Sequence, residues 1–173
     1  MSGTKATDFH VLTDQQEKGF RMARNRLHQQ KIYEFQTSLV VQPRDVNYGG
    51  HLGYDALITL IGAARALAFR SMDLSELDLG DGRTGILMTD LVGNYKAQAF
   101  MFDELLVETH VGDFTRTTFR AFHRVTKDKV LVALVEAGFA SYEYVLSRIV
   151  PVPASFVKAV ADRAAQNQIC RSG

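Results

Sequence analysis

The chain has 173 residues, 46% of them apolar and 23% charged, with 20 Lys and Arg against 19 Asp and Glu for a formal charge of +1. That length supports one domain with a core large enough to need no disulfide or metal staple. The charge balance argues against a nucleic-acid groove, a polybasic membrane binder or an acidic tail.

Cys170 is the single cysteine and has no intrachain partner. The longest uncharged run in the middle of the chain, Ala56 to Ala64, is nine residues, well below the ~20 of a membrane span. Residues 1–30 carry no secretory pattern. Together these features predict a cytoplasmic protein with no membrane partner.

Residues 1–32 hold six Lys/Arg and three Asp/Glu and read as an N-terminal extension to a single domain over 33–173. Thr13-Asp14-Gln15-Gln16 has the form of a capping box. With Phe20, Ala23 and Leu27 following at helical spacing, it predicts a short amphipathic helix over about 14–30. Tyr33 to Val41, aromatic and β-branched and ending before Pro43, predicts a strand. The glycine-rich run from Arg44 to Gly53 predicts irregular structure.

Tyr54 to Arg70 is apolar at nearly every position, which predicts a helix buried on all sides, with Gly62 admitting another backbone. After an acidic loop over 73–85, strands are predicted at 86–98, 103–111, 116–125 and 130–144. Gly112-Asp113 and Lys127-Asp128 read as turns, and Gly138 as a bulge in a central strand. Leu105, Val107, Thr109 and Val111 share one strand face; Phe119, Ala121 and Val125 oppose Arg120 and Arg124. A final helix is predicted over 155–166. One helix followed by four antiparallel strands is an α+β pattern in which a sheet curls around a helix, not a parallel βαβ array.

Asp45-Val46-Asn47-Tyr48-Gly49-Gly50-His51, between the first strand and the long helix, resembles the D-x-(D/N)-x-x-G-H signature of hot-dog fold acyl-CoA thioesterases of the 4-hydroxybenzoyl-CoA thioesterase-like family. Asn94-Tyr95-Lys96-Ala97, Asp103-Glu104-Leu105-Leu106-Val107 and Arg148 to Pro153 resemble later landmarks of the same family, so the likeness covers roughly 33–156. It implies a long helix wrapped by a five-stranded antiparallel sheet. It also implies self-association as a dimer or dimer of dimers with the active site at the interface. The implied substrate is an acyl thioester of coenzyme A or acyl carrier protein, with no cofactor and no metal. Two departures stand out. Asn47 occupies the place of the second acidic residue of D-x-D, and Ala63 the place of a helical Glu before Ala-Arg, so both usual carboxylates are missing.

Thioester hydrolysis requires oxyanion stabilisation and a base that activates water. Backbone N–H groups over Gly50 to Gly53, at the positive end of the long helix, are candidate oxyanion donors. Tyr48, Gly49, Leu52, Tyr95 and Lys96 are candidate substrate contacts. His51 is the expected base, oriented by Asp45. Asn47 is expected to hold the water or the carbonyl, since an amide accepts no proton at neutral pH. Asp55 is the reserve carboxylate, one turn on. The plain alternative is that Asp45 forms an Asx turn, Asn47 occupies a left-handed position and His51 caps the helix.

His110 and His123 lie on neighbouring strands at positions where they can face each other, and they are read as sheet residues because no third metal ligand is in sight. Lys96, Arg116, Arg120 and Arg124 suit a solvated strand face better than coenzyme A phosphates. Gly80 to Gly85 fits G-x-G-x-x-G but leads into a strand, so it lacks the dinucleotide-binding context. Asp73, Glu76, Asp78 and Asp81 do not follow EF-hand spacing. Two other classes compete with hydrolysis. An (R)-specific enoyl-CoA hydratase shares the fold, but its His follows its Asp by five residues where the gap here is six. A non-catalytic acyl-binding or regulatory module of the same fold is made plausible by the two missing carboxylates.

Overall fold

The computed structural model describes residues 25–171, with side chains as far as residue 166. β1 (Phe35–Val40) leads through a short 3-10 turn (Pro43–Asp45) into α1 (Tyr54–Arg70). Four long strands follow, β2 (Thr84–Tyr95), β3 (Glu104–Gly112), β4 (Thr118–Lys127) and β5 (Val130–Glu143). A two-residue β6 (Arg148–Ile149) and α2 (Ala154–Arg171) close the chain. All pairings are antiparallel, in the order β1-β3-β4-β5-β2, with β6 added against the end of β5. The expected five-stranded sheet is therefore present with one short extra strand, and β4 rather than β5 holds the middle.

α1 lies across the face formed by Leu105, Val107, Val125, Ala133 and Val135, against which it buries Leu57, Ile61 and Ala64. Its C-terminal end, Ala68 and Phe69, joins a second cluster with Phe119, Phe139 and the α2 residues Phe156 and Val160. Phe156 is the hinge pin of that cluster, its ring centroid 4.9 Å from Phe119 and 5.2 Å from Phe69. Arg65 is buried on the same side, where its Nε donates to Glu76 at 2.7 Å and its guanidinium lies 4.7 Å from the Phe139 ring centroid. A buried cation needs such a partner.

α1 is not buried all round. Tyr54, Asp55, Thr59, Ala63, Ala66, Leu67 and Arg70 are exposed along one side, because the sheet of a single chain covers only one face of an apolar helix. No backbone passes Gly62; a side-chain carbon there would meet only the Arg65 guanidinium, at 3.8 Å. The bulge sits on β2 at Thr89, between the Met88 and Asp90 pairings, and not at Gly138 opposite. Gly138 instead leaves the space in which Asp90 meets Arg120, which also bonds Glu136. That hydrogen-bonded ion pair, with Arg120 as the main cause, holds the Asp90 carboxyl below the usual range. The β4–β5 hairpin turns on Asp128 and Lys129, both left-handed with φ of 48° and 67°, one residue later than expected.

The outer sheet face carries ion pairs, as the alternation of Arg120 and Arg124 predicts. Arg124 donates to Glu108 at 2.7 Å and covers the Tyr33 ring at 4.6 Å. His110 and His123 do not face each other. The register pairs His123 with Thr109 and His110 with Phe122, so the two rings lie on opposite faces. His110 Nδ1 meets Glu34 at 2.8 Å on the outside, while His123 is buried beneath α1.

Residues 25–30 are not helical. Asn94 accepts from Leu27 N–H at 2.9 Å and donates to Asn25 C=O at 3.0 Å, and Arg124 donates to Gln29 at 2.9 Å. These contacts draw the segment out over the sheet. The remainder of the expected helix, 14–24, lies outside the described residues. No helix among the described residues is long and apolar enough to cross a membrane.

Candidate active site

The segment joining β1 to α1 forms a tight loop held at its base by the sheet. Leu52 N–H donates to Ala99 C=O at 2.8 Å, Asn47 N–H to His51 C=O at 2.9 Å and Gly53 N–H to Asp45 C=O at 2.8 Å. Gly50 takes the left-handed turn position (φ 76°) that a side chain would strain.

Inside the loop runs a closed ring of hydrogen bonds. Gly49 N–H donates to Asn47 Oδ1 at 2.8 Å, which fixes the amide so that its Nδ2 donates to His51 Nε2 at 3.2 Å. His51 Nε2 is then the acceptor, so Nδ1 carries the proton and donates to Gly49 C=O at 3.3 Å.

Asp45 does not orient His51. Its carboxylate accepts from Gln42 N–H, three residues back, at 2.8 Å and closes the capping box of the 3-10 turn, so it forms the cap and not the Asx turn weighed above. The donors expected over Gly50 to Gly53 are also largely engaged, since Gly50 N–H bonds Asn47 C=O and Leu52 and Gly53 are held as described. Among the described residues, the N–H groups of Tyr48 and His51 in the Asn47–Gly53 stretch have no protein partner, nor do the first-turn groups of α1, whose N-cap Gly53 offers no side chain.

The groups at His51 and the start of α1 border an apolar cavity of about 220 Å³ lined by Asn47, His51, Leu52, Gly53, Tyr54, Leu57, Tyr95, Ala97, Gln98, Ala99 and Val132. The structure thus gathers Asn47, His51, Leu52, Gly53 and Tyr95 of the sequence candidates. Ala97, Ala99 and Val132, which were not among the sequence candidates, come from the β2–β3 connection and β5; Ala97 ends the Asn94-Tyr95-Lys96-Ala97 landmark, and the other two had no signal beyond their small or branched size. Tyr48 is fully exposed, Gly49 and Gly50 shape the loop, and Lys96 lines a separate open groove with residues 25–28. Tyr95 hydroxyl donates to Tyr54 C=O at 3.5 Å; burial, with the charges of Asp55 and Tyr54 adding, pushes its phenol up. Asp55 lies with its carboxylate against Gly53, where a side-chain carbon would fall 2.5 Å from Oδ1. The described residues contain no group of three or more His, Cys, Asp or Glu able to hold a metal.

The fold is shared with solved structures of low sequence similarity. A 1,4-dihydroxy-2-naphthoyl-CoA thioesterase from Synechocystis superposes with a TM-score of 0.67 at 17% identity, over 74% of this chain and 96% of that one. A gentisyl-coenzyme A thioesterase gives 0.65 at 16% identity, over 72% and 98%. A protein from Bacillus stearothermophilus described as a predicted thioesterase gives 0.65 at 16%, over 75% and 96%. No curated protein sequence matches the chain. The family model of the thioesterase-like superfamily matches residues 41–160, which takes in the loop, α1, strands β2 to β6 and the start of α2. This hot-dog domain, with its cavity at the uncapped N-terminus of α1, therefore belongs to the thioesterase-like superfamily.

Proposed function

We propose that the chain hydrolyses acyl thioesters of coenzyme A to the free acid and thiol, with the cavity at the start of α1 receiving the acyl group. The observation that carries this reading is the meeting of an apolar cavity with partnerless N–H groups at a helix N-terminus. Those donors and the helix dipole suit an oxyanion as the thioester carbonyl is attacked. A cavity of about 220 Å³ holds a ring-sized acyl group, since one of about 150 Å³ accepts benzene. The two neighbours that act on ring-bearing acyl-CoAs are consistent with that size.

Coenzyme A is the proposed carrier, and acyl carrier protein is the alternative. The open side of α1 and the twelve-residue edge strand β2 support pairing with a second copy. Sedimentation then gives a dimer or a dimer of dimers.

Release of free thiol from acetyl-, benzoyl- and palmitoyl-CoA tests the reading. Benzoyl-CoA turns over with the highest kcat/KM. Binding of all three without thiol release refutes hydrolysis in favour of a binding module, and hydration of an enoyl-CoA without thiol release refutes it in favour of a hydratase.

A further inference from the structure

This inference rests on the hydrolytic reading and names the base. With Asn47 and Ala63 at the two usual carboxylate positions, four proton-accepting side chains remain to be weighed: His51 and Tyr95 line the cavity, and Asp45 and Asp55 adjoin its wall residue Gly53. Three are otherwise committed. The Asp45 carboxylate is taken by Gln42 N–H at 2.8 Å. His51 is closed into the loop at both ring nitrogens, so its lone pair on Nε2 points at the Asn47 amide and not at a water in the cavity. Tyr95, raised by burial, keeps its proton at neutral pH and is a donor.

Asp55 differs from all three. Its side chain has no hydrogen bond or ion pair among the described residues, and its Oδ1 lies against Gly53, a wall of the cavity. The contact exists because position 53 is glycine. Asp55, Thr59 and Ala63 also fall at i, i+4 and i+8 on the exposed stripe of α1. The carboxylate thus stands on the stripe that carries the usual Glu position, two turns nearer the helix N-terminus.

We propose that Asp55 is the general base of this enzyme and that His51 is a positioning residue which locks the loop through Asn47 and Gly49. The Asp55 carboxylate takes a proton from water as the water oxygen bonds to the thioester carbonyl carbon. The oxyanion forms against the free N–H groups at His51 and the start of α1. Collapse breaks the C–S bond, and the thiolate leaves with the proton returned from Asp55, so thioester and water give acid and thiol. The charge of Asp55 helps to raise the Tyr95 phenol, so Tyr95 from β2 is the titratable group that faces it.

The test compares wild type, Asp55→Asn, Asp55→Glu and His51→Gln by steady-state thiol release from benzoyl-CoA across pH, with thermal melts of each. Asp55→Asn lowers kcat by roughly 10²- to 10⁴-fold with KM little changed. Asp55→Glu recovers part of the rate, and the acid limb of kcat/KM survives in His51→Gln. A carboxylate serving only the helix dipole would move the melting temperature and leave kcat in place. The assignment is overturned if Asp55→Asn keeps its rate to within about fivefold, well short of a general-base effect. It is equally overturned if the acid limb disappears in His51→Gln and persists in Asp55→Asn. Wild type that releases no thiol from any acyl-CoA overturns both the hydrolytic reading and this assignment, whereas an active Asp55→Asn overturns the assignment alone.

Discussion

Removing the imidazole of His123 should flatten the acid side of the stability curve. This ring is 1% exposed beneath α1, with Nδ1 3.0 Å from Thr109 Oγ1 and Nε2 without a partner among the described residues. Burial, helped by the nearby Arg65 charge, pushes it down from 6.5 to about 3. In the window between those values the unfolded chain binds a proton that the folded state refuses, so stability is complete above pH 6.5 and falls as the pH drops. The slope is about 1.4 kcal/mol per pH unit, which amounts to about 2 kcal/mol between neutrality and about pH 5.

The variant Thr109→Val/His123→Leu replaces both polar partners with apolar groups of similar shape, so it should fold with near wild-type stability at neutral pH. Urea denaturation at fixed protein concentration, read by circular dichroism at several pH values, measures the difference. The double variant should lose about 2 kcal/mol less than wild type on acidification to about pH 5. Equal slopes in the two proteins, or a His123 proton resonance titrating near the free-imidazole value, would refute the argument.

Two further outcomes follow from the packing. Gly53→Ala places its new carbon 2.5 Å from Asp55 Oδ1; the carboxylate swings away at little cost in stability, and thiol release falls at least about tenfold, as for a misplaced general base. An unchanged rate, with a melt like that of wild type, would show that the contact is incidental. Phe156→Ala empties the site where α2 meets Phe69, Phe114 and Phe119. It should cost about 3–5 kcal/mol by denaturant titration, and a loss below about 1 kcal/mol would mean that α2 adds little to the core.

The regular elements were legible because their signals are local. The largely apolar run from Tyr54 to Arg70 ends where α1 ends, and the alternation of Phe119 and Ala121 with Arg120 and Arg124 sorted β4 into a core face and a charged face. The loop was legible as a site because Asp45 to His51 combines glycines with polar side chains ahead of a buried helix. Its internal roles were not. Spacing cannot tell that Asp45 turns back to Gln42, or that Asn47 and Gly49 occupy both nitrogens of His51, because those bonds depend on how the loop closes over itself.

The amino-acid pattern alone determined that a helix packs on an antiparallel sheet, that the chain resembles the hot-dog thioesterases, and that two usual carboxylates are missing. Tertiary structure decided the rest. Strand register put His110 and His123 on opposite faces. Asn94, 67 residues from Leu27, pulled the expected N-terminal helix end into an extended segment over the sheet. The approach of Tyr95, Ala99 and Val132 to Gly53 made the cavity. Each of these rests on contacts between residues far apart in the chain, where local periodicity carries no information.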